Sequence, residues 1–267
     1  MLRRRLDKIM RKIVQHLLFL LLLGCSNVKP GTNTISINPI VLVNIDGLDR
    51  ISIANLLIKL EKCKPKVVGI NAIFDGTHSE STDSLLSNAM KSLANVVLIS
   101  LRNDDKLVQS APVFIKSANR EGVLTHGNLI DGSLIYKTYV SYKDELLWSF
   151  PTTIVSSYDP SIGLKTMRNS FPNTWYEVKI DYQLEDFISY QAVDSFDCEK
   201  IANKIIVLGS IGPSNADSYE IPNYKEPLFG TVIIANIINS IIHSEFNEVK
   251  VDKDYGKGTL PNVEKSL

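Results

Sequence analysis

The sequence predicts an α/β domain, a mixed but mainly parallel sheet flanked by helices. Two observations carry that reading. Residues 40–45 (IVLVNI), 67–74 (VVGINAIF) and 204–209 (KIIVLG) are nearly continuous apolar runs, the pattern of strands buried on both faces of a parallel sheet. Helically spaced apolar residues lie between the first two runs and beyond the third, and strand–helix–strand alternation is how parallel sheets are assembled.

The elements follow in order. Residues 26–38 are rich in Pro, Gly, Asn, Ser and Thr, have no apolar period and read as a tether. The first strand ends in Asp46-Gly47. Ile51, Ile53, Leu56, Leu57 and Leu60 then mark one face of a helix that must stop before Pro65. The second strand ends in Asp75-Gly76 and completes a βαβ unit, whose crossover carries the two strands into parallel. Thr82 or Asp83 is expected to cap a second helix with Leu85, Leu86, Met90 and Leu93 on one side, leading into a strand at 96–99. Residues 103–126 carry scattered turn residues and allow one or two short strands. Residues 127–132 read as a turn, and 133–142 as one alternating strand with Leu134, Tyr136 and Thr138 opposite Ile135, Lys137 and Tyr139. Helical spacing over 146–158 predicts a helix with Pro151 in its first turn or at a kink. Residues 175–181 alternate as a strand. After 204–209 comes the loop SIGPSNADSYEIPN, and Gly230 opens a helix with almost no polar face, which must therefore be buried. From Asn247 the tail is charged and polar.

The leading residues are of another kind. Arg3, Arg4, Arg5, Lys8, Arg11 and Lys12, against the single Asp7, precede the apolar stretch 13–23. That stretch falls short of the roughly 20 apolar residues a membrane span needs. A basic segment, a short apolar segment and small residues make a secretory signal peptide. Leu22-Leu23-Gly24-Cys25 resembles the lipobox of bacterial lipoproteins. The resemblance implies cleavage before Cys25 and a diacylglycerol on its thiol, which anchors a protein with no helix crossing the bilayer. Ser26, standing where an aspartate would signal retention in the inner membrane, points to the outer membrane facing the periplasm. The expected organisation is a signal peptide at 1–24, a tether at 25–38, a single α/β domain at 39–246 and a polar tail at 247–267.

The first 24 residues hold six of the 29 basic and one of the 29 acidic residues, so the remainder is acidic by five charges. A nucleic-acid partner would call for a basic patch that releases counterions, and none is written here. Cys63 and Cys198 each precede a predicted buried strand; they either pair in an oxidising envelope or sit apart as small hydrophobes, and spacing alone does not decide.

Several segments, in order, resemble CHASE2, the extracytoplasmic sensor domain of bacterial cyclases and kinases. They are VLVNID (41–46), then Arg50, Ala54, Leu56, Leu57 and Leu60 spaced as R-x-x-x-A-x-L-L-x-x-L, VVGINAIFD (67–75), VVLIS (96–100), GNLIDG (127–132), Phe150-Pro151, and KIIVLGSIGPSNADSYEIP with FGTVIIANIINSII (204–242). The family places this domain ahead of transmembrane helices and a cytoplasmic output domain. A polar tail in their place leads to the expectation of a lipid-anchored sensing or ligand-binding domain without its own output, which reports to an envelope or signalling protein.

Asp46, Asp75 and Asp217 fall at or beyond the carboxyl ends of predicted strands, where open α/β sheets commonly hold ligands. With Arg50 and Ser210 they form the candidate site for an unidentified small molecule, Ser214 and Asn215 lying alongside. The same aspartates also serve as helix caps or turn residues. Gly209-Ser210-Ile211-Gly212 fits neither a nucleophile elbow nor a phosphate loop, and His78 with Asp75 and Ser79 are neighbours in sequence rather than a triad in space. No catalytic residue and no cofactor is expected. The alternatives are a structural or interaction lipoprotein of the envelope and, more remotely, a hydrolase whose three aspartates hold Mg²⁺ or Ca²⁺.

Overall fold

The computed structural model describes residues 38–103, 106–124, 128–130, 133–143, 145–169, 175–179, 186–212, 218–219, 227–243 and 247–249. Asn38–Leu267 forms one unit, distinct from Met1–Ile37. The expected signal peptide, tether and Cys25 lie outside the described residues, as do Ser214, Asn215 and Asp217.

The central sheet is built from β1 (Ile40–Asn44), β2 (Val67–Ile70), β3 (Val96–Asn103), β4 (Lys106–Val108), β5 (Arg120–Leu124), β11 (Ile188–Gln191) and β12 (Ile205–Gly209). Its order is β11-β1-β12-β2-β3, with both β4 and β5 on β3, and every pairing is parallel except β3 with β4. The βαβ unit read from the sequence is present, but its strands are not neighbours: β12, more than 130 residues on, inserts between β1 and β2.

Alternation along the strands sorts the core into two layers. Val41, Val43, Val68, Ile70, Leu98, Ile206 and Leu208 gather with the apolar faces of α1 (Arg50–Lys62) and α2 (Glu80–Ser92). Ile40, Leu42, Val67, Val97, Ile99, Ile205 and Val207 gather with α4 (Phe150–Tyr158) and α7 (Gly230–His243). Burial on both sides explains why these strands read as unbroken apolar runs. α7 is buried from Gly230 to Ile241, and each isoleucine it encloses contributes about 1.5–3 kcal/mol of apolar burial. α4 lies close on the sheet because β5 carries Gly122, where a Cβ would meet the Phe150 Cα at 2.5 Å.

A second, antiparallel sheet runs β15 (Asn247–Val249), β10 (Trp175–Lys179), β7 (Ser133–Tyr136), β6 (Asn128–Ile130), and β8 (Tyr139–Tyr142) pairs with β9 (Glu145–Trp148). β13 (Ser218–Tyr219) pairs with β14 (Leu228–Phe229). Three short helices complete the described chain: α3 (Pro112–Ile115), α5 (Pro160–Asn169) and α6 (Cys198–Ile201).

Several boundaries differ from those the sequence predicts. The single strand expected at 133–142 divides between two sheets. The helix expected from 146 begins at Phe150, because Ser149 caps it through the Thr152 amide and Leu146 to Trp148 pair with β8. α2 starts at Glu80 on a Ser79 cap, ahead of both expected caps. β2 leaves the sheet after Ile70 and β3 runs on to Asn103. Cys63 and Cys198 are joined in a disulfide with a Cα–Cα distance of 4.6 Å, tying the end of α1 to the start of α6.

Candidate functional site

β1 and β12 lie side by side and end together, Asn44 opposite Gly209. The next helix after β1 is α1, on one face of the sheet; the next helix after β12 is α7, on the other. Connections that diverge in this way leave a crevice outside the strand ends, the usual ligand position in open α/β sheets.

Neutral polar side chains line this edge. Asn44 Oδ1 accepts from the Asp46 amide at 3.1 Å and from the Ile211 amide at 3.2 Å, and its Nδ2 donates to Gln191 Oε1 at 3.0 Å. One amide thus brings the ends of β11, β1 and β12 together. Asn71, just past β2, donates its backbone amide to the Leu208 carbonyl at 2.7 Å and its Nδ2 to Thr231 Oγ1 at 3.2 Å. Thr231, fully buried in the first turn of α7, crowds the space a side chain on Gly209 would need. The amino end of α7 and its outward-pointing amides are therefore held against the strand edge. Beside them, the Ser210 Oγ is buried and makes no hydrogen bond among the described residues, which for a hydroxyl out of contact with water is unfavourable.

A second, charged cluster lies where β2 runs into α2. Arg50, 7 % exposed, donates Nη1 to Asp83 Oδ1 at 2.7 Å and Nη2 to the carbonyls of Asp75 and, at 3.4 Å, Gly76. Its guanidinium lies 5.1 Å from the centre of the Phe114 ring. Asp83 Oδ2 accepts from the His78 amide at 2.9 Å. Burial pushes the Asp83 carboxyl up, but hydrogen bonds from Arg50 and the His78 amide, with the guanidinium charge, outweigh it and hold the group below the usual carboxylate range.

Of the five residues nominated by the sequence, Asp217 lies outside the described residues and the other four part company. Asp46, half-buried, and Ser210 come to the β1/β12 edge, where Asn44 accepts from the backbone amides of Asp46 and of Ile211, the residue after Ser210. Arg50 is turned inward as a clamp between the starts of α1 and α2. Asp75 contributes a carbonyl to that clamp and leaves its side chain exposed. Asn44, Asn71, Gln191 and Thr231 escaped the sequence reading. The available signal for the first two was an asparagine breaking each apolar run, NID and GINAI. Among the described residues, no three His, Cys, Asp or Glu side chains are grouped to hold a metal ion, and no helix is long and apolar enough to cross a membrane.

The family model of the CHASE2 domain matches residues 17–257. No curated protein and no solved structure matches the chain.

Proposed function

The chain belongs to the CHASE2 family of extracytoplasmic sensor domains, and from that premise we propose that it senses a small molecule in the crevice at the carboxyl ends of β1 and β12. The observation that carries this reading is the buried, unpartnered Ser210 hydroxyl beside Asn44, Asn71 and the amino end of α7. A polar ligand that hydrogen-bonds Ser210 satisfies that hydroxyl, while Asp46 at the mouth of the crevice selects for a donor group. The amide and hydroxyl lining favours a neutral or zwitterionic ligand over a metal ion.

The domain is held at the membrane by lipid on Cys25, a reading supported by Leu22-Leu23-Gly24-Cys25 after a basic and apolar leader. It delivers its signal to another envelope protein. Radiolabelled palmitate should enter the wild-type protein and not Cys25→Ala; equal labelling of both removes the anchor. For the sensing role, the full chain is heated against a panel of amino acids, nucleosides, sugars and ions. A true ligand raises the melting temperature in proportion to the logarithm of its concentration, and Asn71→Ala blunts the rise. A panel that moves nothing, or a rise untouched by Asn71→Ala, contradicts the proposed crevice.

A further inference from the structure

The Cys63–Cys198 bridge stands outside the crevice and differs in exposure at its two ends. Cys63, at the end of α1, is 4 % exposed and packs in the core layer beneath that helix. Cys198, the first residue of α6, is exposed. Both line an open surface depression of about 350 Å³, walled by Lys59 and Lys62 on one side and by Val193 and Phe196 on the other. Val193 is 83 % exposed. Asp194, the acid on that wall, is engaged locally, its Oδ2 accepting from the Gln191 amide at 2.6 Å.

We propose that this bridge is a thiol–disulfide exchange site, reduced at Cys198 by a dithiol protein of the cell envelope. A half-bridge on an exposed residue that lines an open depression can be approached by a partner, and the two lysines raise the local concentration of an incoming thiolate and stabilise the one that departs. The reductant's thiolate attacks Cys198 Sγ and a mixed disulfide forms. The Cys63–Cys198 bond breaks, and its electron pair leaves on Cys63 Sγ, which takes up a proton. The reductant's second thiol then attacks its own sulfur in the mixed disulfide and releases Cys198, which is protonated in turn. Two electrons and two protons pass from the dithiol to the bridge.

The consequence runs through β11. Phe196 stacks edge-on against Tyr190 of that strand, with ring centres 5.3 Å apart, and Gln191 at its end bonds Asn44 in the crevice. β11 is the edge strand of the sheet and pairs only with β1 among the described strands. Opening the bridge frees the segment after β11 from α1 and loosens that edge strand.

The test treats the oxidised full chain, in native buffer, with reduced thioredoxin as the dithiol probe and follows free thiols by alkylation and mass spectrometry. The bridge should open without denaturant, and thioredoxin lacking its second cysteine should be trapped on the peptide bearing Cys198. Reduction only after unfolding, or trapping on Cys63, overturns the site. Lys59→Glu with Lys62→Glu should slow the exchange severalfold; an unchanged rate removes the electrostatic part. On reduction, amide exchange should quicken in β11 while β2 and β3 keep their protection, and equal protection of β11 before and after overturns the coupling. None of these readouts involves a crevice ligand, so their failure is distinct from failure of the sensing reading.

Discussion

Two polar clusters share one edge of the central sheet, and they are finished differently. Around Arg50, donors meet acceptors: a carboxylate takes one nitrogen, backbone carbonyls take another, and an aromatic ring covers the guanidinium. Around Ser210 the lining is mostly amide and hydroxyl, with Asp46 nearby, and one buried hydroxyl has no partner among the described residues. The charges around Arg50 therefore hold helices in place, while the amides and hydroxyls around Ser210 leave a hydrogen-bonding group unsatisfied. A buried ion pair is costly to break because the remaining charge is stranded; an unpaired hydroxyl costs less and is relieved by a ligand.

That contrast sets the order of expected effects. Arg50→Met strands Asp83 and two carbonyls, so unfolding stability should fall by roughly 3–5 kcal/mol, a melting-temperature loss on the order of 10 °C for a domain of this size. A loss within a degree would show that the clamp is dispensable. Gly209→Ala drives a methyl against Thr231 at the start of α7. Denaturant titration should register about 1–3 kcal/mol of destabilisation from overpacking, together with a weakened response to any crevice ligand.

Acid acts on the charged cluster through Asp83. The carboxyl of Asp83 titrates below its ordinary value in the folded protein, so its contribution is fully present above the unfolded carboxylate pKa of about 3.9 and is lost as the pH falls from there through the lowered folded value. Asp49 and Asp159, lowered mainly by hydrogen bonds from Ser52 and Ser161, respond in the same direction. Melting curves recorded between neutral pH and pH 3 should accordingly flatten in Asp83→Asn without becoming level; an unaltered slope would detach Arg50–Asp83 from acid stability. The smallest effect belongs to Ser210→Ala. Removing a hydroxyl that lacks a partner should leave stability unchanged or raise it, by no more than about 1 kcal/mol, and a clear destabilisation would mean that Ser210 is satisfied after all.

The two regions also differ in how far the sequence revealed them. Runs such as IVLVN and IIVLG announce doubly covered strands because burial on both faces demands apolar side chains at every position, and the helices α1 and α7 follow from spacing. Strand order did not follow, since insertion of β12 between β1 and β2 depends on packing across a long sequence separation. Ser149 and Ser79 set helix starts by capping, and a cap is hard to distinguish from neighbouring serines and threonines before the fold is known. Aspartates and Arg50 drew attention as chemistry-bearing types, yet a charge tells nothing of whether its partner lies inside the protein. Asn44 and Asn71 were legible only as interruptions of apolar runs, and their role emerged when the strand ends met. The bridge between Cys63 and Cys198 required a separation that no spacing rule supplies.

In the proposed sensing role the crevice at Ser210, not the clamp at Arg50, takes the ligand. This is tested most directly by titration calorimetry of a ligand found in the melting screen, comparing wild type with Ser210→Ala and Asp75→Asn. Binding should be weaker by roughly tenfold, about 1.4 kcal/mol, for Ser210→Ala, with near-wild-type affinity for Asp75→Asn. Full affinity in Ser210→Ala with loss in Asp75→Asn would contradict that role for the crevice.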